Sequence, residues 1–141
     1  MSVPVGERDE SKFTLPLRAE RLASYTLQIT ANEKVFLPEH RKGLTDDIVE
    51  TAKNIYLGIR EANDVTVRVN TMYQMGDIRE RNRLQRQALR NTKRLMYLID
   101  LAHRDFHLSS KRVKYWGSMV REIRKRIEGW IADDMERYTP K

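Results

Sequence analysis

Between Val113 and Ile131 the apolar residues Val113, Trp116, Val120, Ile123, Ile127 and Trp130 or Ile131 follow one another at intervals of three or four. Only a helix of about 3.6 residues per turn gathers such a set onto one side. The arrangement recurs upstream. Ile48, Ala52, Ile55, Ile59 and Ala62 alternate steps of four and three, and Leu84, Ala88, Leu95, Leu98 and Ala102 form a third stripe, interrupted by Asn91 at the same phase. From Leu17 onward, Leu22, Ile29 and Phe36 recur seven apart, flanked by Ala19, Ala23, Tyr25 and Thr26. Helices with one apolar side must bury it against each other. With only 6 Gly and 4 Pro in 141 residues, connections are short. The pattern predicts an all-α fold, an antiparallel up-down-up-down four-helix bundle.

Element boundaries follow from capping and turn chemistry. Residues 1–15 are polar, contain Pro4 and Gly6 and show no period, which predicts a flexible tail ahead of a bundle spanning 16–138. Pro16 suits a first helical turn, where its missing N–H has no intrahelical partner. This helix is expected to stop near Phe36-Leu37-Pro38, with Gly43 completing the break. Thr45 suits the N-cap of the second helix, followed by Asp46 and Asp47 at the positive dipole end. Gly58 within it implies close approach of a neighbouring helix. The β-branched stretch Val65-Thr66-Val67-Arg68-Val69 alternates like a strand but has no partner strand, so the helix is extended through it, with the turn at Asn70 to Gly76. The third helix is expected from about Asp77 to Phe106. The fourth follows a connection at His107–Ser110, with Ser109 or Ser110 as N-cap, and ends before Pro140.

Composition removes several classes of function. Without cysteine there is no disulfide framework, no thiolate zinc site and no thiol catalysis. No uninterrupted apolar run approaches the ~18 residues of a membrane span. Glu7, Asp9 and Glu10 are unlike the basic head of a secretion signal. A charged fraction of 33% beside 40% hydrophobic residues argues for a folded, soluble helical domain, and a cytoplasmic location is expected.

Charge is distributed unevenly. Lys and Arg number 27 against 20 Asp and Glu, a net of +7. Residues 1–70 carry 10 basic and 11 acidic side chains, residues 71–141 carry 17 and 9, so the excess lies in the second half. Its centre is the run from Arg79 to Arg94, where Arg79, Arg81, Arg83, Arg86, Arg90, Lys93 and Arg94 face the single acid Glu80. Arg79, Arg83, Arg86, Arg90 and then Lys93 or Arg94 step by three or four, a stripe along one helical face offset from the apolar one. The fourth helix repeats it with Lys111, Lys114, Arg121 and Lys125, beside Arg112, Arg124 and Arg126. A solvated face ordinarily mixes signs, and arginine's planar fork grips phosphate bidentately. The stripes therefore point to sequence-tolerant, electrostatic binding of nucleic-acid phosphates. Against this stands the plainer reading of a solvated face.

Other candidates are weaker. His103 and His107 share a face, with His40 elsewhere, but Arg104 stands where a zincin helix needs Glu, and helix-end roles fit better. Glu61, Asp64, Asp133 and Asp134 have no spacing that specifies acid–base chemistry, and no GxSxG, Walker or GxGxxG pattern is present. No cofactor or metal is called for, and an enzyme is not expected. Tyr97 and Tyr115 are read first as core-edge residues and second as base-stacking platforms. Trp116 and Trp130 are read first as core and second as an exposed seam for self-association.

The strings Asn32-Glu33-Lys34, Phe36, Pro38, Arg41, Leu44-Thr45-Asp46, Ile55-Tyr56 and Glu61-Ala62-Asn63 resemble the small bacterial four-helix bundles of the S23/rRNA-intervening-sequence superfamily. So do Arg94-Leu95, Leu98-Ile99, Leu101-Ala102, Trp116, Arg121-Glu122 and Gly129-Trp130-Ile131. The resemblance runs from about Leu22 to Trp130, on diffuse packing positions without a catalytic signature. Within that superfamily the chain is most similar to the accessory variability determinants of diversity-generating retroelements. That branch implies a basic homopentamer that binds the element's reverse transcriptase and template RNA or cDNA and is not itself an enzyme. The other branch is encoded within ribosomal RNA gene insertions. A structural module meeting an acidic protein partner is the alternative from a different class.

Overall fold

The computed structural model describes residues 5–138, with side chains from Thr14 onward. Among the described residues there is no strand, and no helix is long and apolar enough to cross a membrane. Four long helices carry the fold among the described residues: α1 Val5–Thr30, α2 Asp46–Asp64, α3 Gln74–Asp105 and α4 Ser110–Tyr138. Each consecutive pair packs together, and α1 also packs on α4, so the apolar sides converge on one core.

The stripe read from α2 is the one buried, and so is that of α4 except for the half-buried Val113. Ile48, Ala52, Ile55, Ile59 and Ala62 are all inaccessible, as are Trp116, Val120 and Ile127. Trp116 and Trp130 both lie in the core, which removes the exposed-seam reading. Trp116 donates from Nε1 to Thr26 Oγ1 on α1 at 3.1 Å, and Thr26 donates to the Leu22 carbonyl. A buried indole N–H is thus satisfied through a helix-bound hydroxyl. On α3 the buried set includes Leu84, Ala88, Thr92, Leu95, Ile99 and Ala102, placing Ile99 and Thr92 where the sequence suggested Leu98 and Asn91. Gly58 does serve close packing. A Cβ there would lie 3.3 Å from the Cβ of Ala88, so α2 and α3 approach nearly backbone to backbone.

Several boundaries differ from expectation. Pro16 lies inside α1 and not in its first turn. Of the tail expected over residues 1–15, residues 1–4 and the side chains of 5–13 lie outside the described residues. At the other end α1 stops at Thr30, and Phe36 belongs to the connection, not to a heptad stripe. It is buried there by edge-on contacts with Phe106 at 5.2 Å and Trp116 at 6.4 Å. Pro38–His40 forms one 3₁₀ turn and Arg41–Thr45 a π turn that runs straight into α2. Thr45 is therefore already helical (φ −58°, ψ −45°) and caps nothing with its side chain. Ser109 does cap α4, accepting from the Arg112 N–H at 3.2 Å, as its short hydroxyl side chain suits it to do.

The largest correction is the α2–α3 connection. Val65 to Val69 is not helix: α2 ends at Asp64 and Val65 is extended. β-Branched residues hold a helix weakly. Here side chains also supply their backbone groups with other partners. Arg81 donates to the Val65 carbonyl at 3.2 Å, and Asp77 accepts from the Arg68 N–H at 3.0 Å and from its guanidinium at 2.8 and 2.9 Å. Arg68 also lies 4.1 Å above the Tyr73 ring, a cation–π contact. Asn70 takes a left-handed conformation (φ 61°), and its N–H donates to Gln74 Oε1 at 2.7 Å.

Candidate nucleic-acid interface

Arginines on α3 separate by helical phase. At about 100° per residue, Arg79, Arg83, Arg86, Arg90 and Lys93 or Arg94 lie opposite Ala88 and Leu95, the residues facing the core. All six basic side chains are exposed. Farther along the same face stand Tyr97, 73% exposed, and Leu101. Tyr97 is thus not the core-edge residue first read from the sequence. It is a bare ring continuing a row of guanidiniums. Tyr115 is also exposed, although it meets Tyr25 edge-on at 5.1 Å.

Neutralisation is limited to part of the set. Arg83 donates to both oxygens of Glu80, at 2.7 and 3.1 Å, and those hydrogen bonds hold the Glu80 carboxyl below its ordinary pKa, because they favour the charged form. Arg86 bonds a neutral partner, Asn82 Oδ1, at 2.9 Å. For Arg79, Arg90, Lys93 and Arg94 no carboxylate lies within ion-pair distance among the described residues. From the neighbouring helix α2, Glu61 acts on Arg83 through space, which adds to the effect of Glu80 on that one arginine.

Lys111, Lys114, Arg121 and Lys125 on α4 are likewise exposed and outside ion-pair distance of any carboxylate among the described residues. Their neighbours Arg124 and Arg126 instead pair along the helix with Glu128 and Glu122, and Glu122 also meets Arg18 of α1 at 2.7 Å. Arg121 is the α4 cation that the structure brings to α3. A Cβ on Gly117 would lie 3.2 Å from its guanidinium and 3.5 Å from the Met96 methyl, which puts Arg121 on the seam between the two helices.

The seventh basic residue of the run behaves differently. Arg81 points inward and pairs with Asp134 of α4, Nε to Oδ2 at 2.6 Å and Nη2 to Oδ1 at 3.2 Å, with both side chains about nine-tenths buried. Gln85 donates to the same Oδ2 at 2.8 Å, and the Arg81 guanidinium lies 5.0 Å from the Trp130 ring centroid. Sequence reasoning missed this cluster, although a signal was present. Arg81 shares the phase of Gln85 and Ala88, and Asp134 continues the α4 stripe one turn past Trp130 and Ile131.

The remaining candidates have structural positions. His103 lies in the last turn of α3, His107 has a left-handed backbone (φ 56°), and His40 stacks on Phe106 at 5.4 Å. Among the described residues no three His, Asp or Glu side chains come together as a metal site. Glu61, Asp64 and Asp133 are exposed, whereas Asp134 is committed to Arg81.

Compared with known proteins, the chain matches no family model, no curated protein and no solved structure.

Proposed function

We propose that this is a non-enzymatic accessory protein that binds RNA or cDNA through the outer faces of α3 and α4, working with a reverse transcriptase in a diversity-generating retroelement. The observation that carries the nucleic-acid part is the one-signed row on α3. Arg79, Arg86, Arg90, Lys93 and Arg94 are exposed along the side opposite the core and are opposed by no carboxylate within ion-pair distance among the described residues. A row of fixed cations in water gains from a polyanion, which sheds condensed counterions on contact. The polymerase partner, the cytoplasmic setting and a homo-oligomer, a pentamer by resemblance, rest on the family likeness alone. On α4, Arg121 adjoins this row at the seam, and the exposed Lys111, Lys114 and Lys125 are proposed to add to it.

The proposed bundle is up-down-up-down. Three helix pairs support it. Between α1 and α4, Arg18 meets Glu122 while Thr26 meets Trp116. Between α3 and α4, Arg81 meets Asp134 while Met96 lies by Gly117. Between α2 and α3, Gly58 meets Ala88 while Val65, just past the end of α2, meets Arg81. In each case one number rises as the other falls.

The test is a fluorescence-anisotropy titration of labelled single-stranded RNA at several salt concentrations. Binding should weaken as salt rises, with a log–log slope of about −0.7 per phosphate contact. Changing Arg83, Arg86 and Arg90 together to Glu should cost roughly 100-fold or more at low salt while circular dichroism stays unchanged. Undiminished binding by that variant refutes this surface. Exposed Tyr97 and Leu101 beside arginines also suit a protein interface, where aromatics and arginine are enriched. Recovery of an acidic protein with no RNA binding at moderate salt favours that reading. Size-exclusion chromatography with light scattering tests the oligomer.

A further inference from the structure

At the end of α3 and α4 nearest the Val65–Tyr73 connection lies a cleft of about 290 Å³. That is at the lower edge of the ~300–1,000 Å³ usual for small-molecule sites. Its walls include the side chains of Met75, Ile78 and Met135, and the buried Gln85 also lines it. Arg79 and Arg86, both exposed, line it too and belong equally to the basic row of α3.

Gln85 is inaccessible to solvent, and its amide is only half used. Nε2 donates to Asp134, whereas Oε1 is buried with no hydrogen-bond partner among the described residues. A buried acceptor left unpaired is costly, and Gln85 lines the cleft, so a ligand donor that reaches it there is favoured. Asp134 serves Arg81 and Gln85 as an acceptor and has no donor to give. A ligand that fits this lining offers an N–H or O–H to Gln85, an apolar body to Met75, Ile78 and Met135, and negative charge to Arg79 and Arg86. Those two arginines are seven residues apart, about 10.5 Å along the axis. Their long side chains both line the cleft, where each can take a different phosphate of one strand.

We infer that this cleft takes a single unstacked nucleotide of a single-stranded nucleic acid: its base between the methionines and Ile78, a base N–H on Gln85 Oε1, and the phosphates on either side on Arg79 and Arg86. The inference rests on the proposed binding of nucleic acid along α3 and adds a docking point at one end of that row. Burial of the base against these apolar side chains and one hydrogen bond offset part of the loss of base–base stacking.

The probe is a short single-stranded RNA carrying one 2-aminopurine, whose emission reports stacking, with anisotropy from an end label read in parallel. The wild-type protein should change 2-aminopurine emission in a saturable way. Met75→Trp, a change at an exposed wall residue, should fill the cleft and remove that response while anisotropy still reports binding. Gln85→Leu should weaken it as well, and Met75→Trp keeps the test decisive if that core variant unfolds. Free 2-aminopurine riboside monophosphate, able to reach only one arginine, should bind roughly tenfold more weakly or worse than the strand. Equal affinity would make the cleft a free-nucleotide site and overturn the strand assignment. Anisotropy binding with no emission change, or an emission change that survives Met75→Trp, overturns the cleft and leaves the α3 surface standing. Absence of any RNA binding removes both.

Discussion

Arg79 and Arg81 are two residues apart on one helix and are put to opposite uses. Arg79 lies on the outer face with no carboxylate within ion-pair distance among the described residues, whereas Arg81 is turned into the bundle, pinned to Asp134 and laid against Trp130. Two residues turn a helix by about 200°, which alone moves a side chain from one side to the other. The inner arginine is a packing element whose charge is cancelled locally, so changing it costs stability. The outer arginines hold a charge that nothing inside the protein needs, so changing them should cost binding and little else.

The sharpest way to break that contrast is to remove Asp134. Asp134→Ala leaves the Arg81 guanidinium buried without its counter-ion and should lower unfolding stability by about 3–5 kcal/mol in urea titrations. Replacing both partners with apolar residues, Arg81→Met with Asp134→Leu, should recover most of the loss, because the penalty comes from an unpaired charge more than from the absence of a salt bridge. A loss below about 1 kcal/mol for Asp134→Ala would place Arg81 with the outer set.

A second probe asks how tightly the inner face is packed. A Cβ on Gly58 already stands 3.3 Å from that of Ala88. Gly58→Val pushes a branched side chain into this gap and should cost about 1–3 kcal/mol. Gly117→Ala is the control. Its new Cβ meets the ends of Arg121 and Met96, which can shift. The gain in helix propensity of up to about 1 kcal/mol should leave the protein as stable as before or more so. Equal losses at the two glycines would mean that the α2–α3 contact is no closer than the α3–α4 seam.

The core phase of α2 and α4 is plain in the sequence, since only one side of each is apolar. On α3 it is ambiguous, because Leu98 and Ile99 are adjacent and either completes the stripe. Thr92, not Asn91, fills the gap: its hydroxyl returns to its own helix, to the Leu89 carbonyl at 2.6 Å, and so is buried without another partner. Phe36 continues a heptad by coincidence of spacing, and its burial comes from Phe106 and Trp116, both far away in sequence. The non-helical Val65–Val69 stretch depends on Arg68, Asp77 and Arg81, whose cross-links local propensity does not encode. The outer basic row is legible because exposure at one phase is a property of a single helix. The Arg81–Asp134–Gln85 cluster needs the pairing of two helices to be seen.

Arg68 forms an intermediate case, an exposed arginine with a structural task. Its hydrogen bonds hold Asp77 at a pKa of about 2, below the ordinary 3.8. A carboxyl whose pKa falls on folding adds stability above its ordinary pKa and loses that contribution as pH drops through the folded value. The α2–α3 connection should therefore loosen between about pH 4 and pH 2, read as the Asp77 carboxyl titration and the Arg68 amide shift by NMR. Asp77→Asn should remove this step, and a wild-type midpoint at the ordinary aspartate value would show that the pair does not hold in solution.

The smallest effect belongs to the outer face itself. Glu80 is the one acid within the run from Arg79 to Arg94, and it occupies both forks of Arg83. Glu80→Gln removes a competing charge and frees for phosphate a guanidinium whose side chain is 60% exposed. Urea unfolding should scarcely move, because an exposed i,i+3 pair contributes little after screening. RNA affinity at low salt should rise, and the log–log salt slope should steepen by about 0.7, one further phosphate contact on a single strand. An unchanged slope would mean that Arg83 does not face the polyanion, and the contact would then narrow to Arg79, Arg86, Arg90, Lys93 and Arg94.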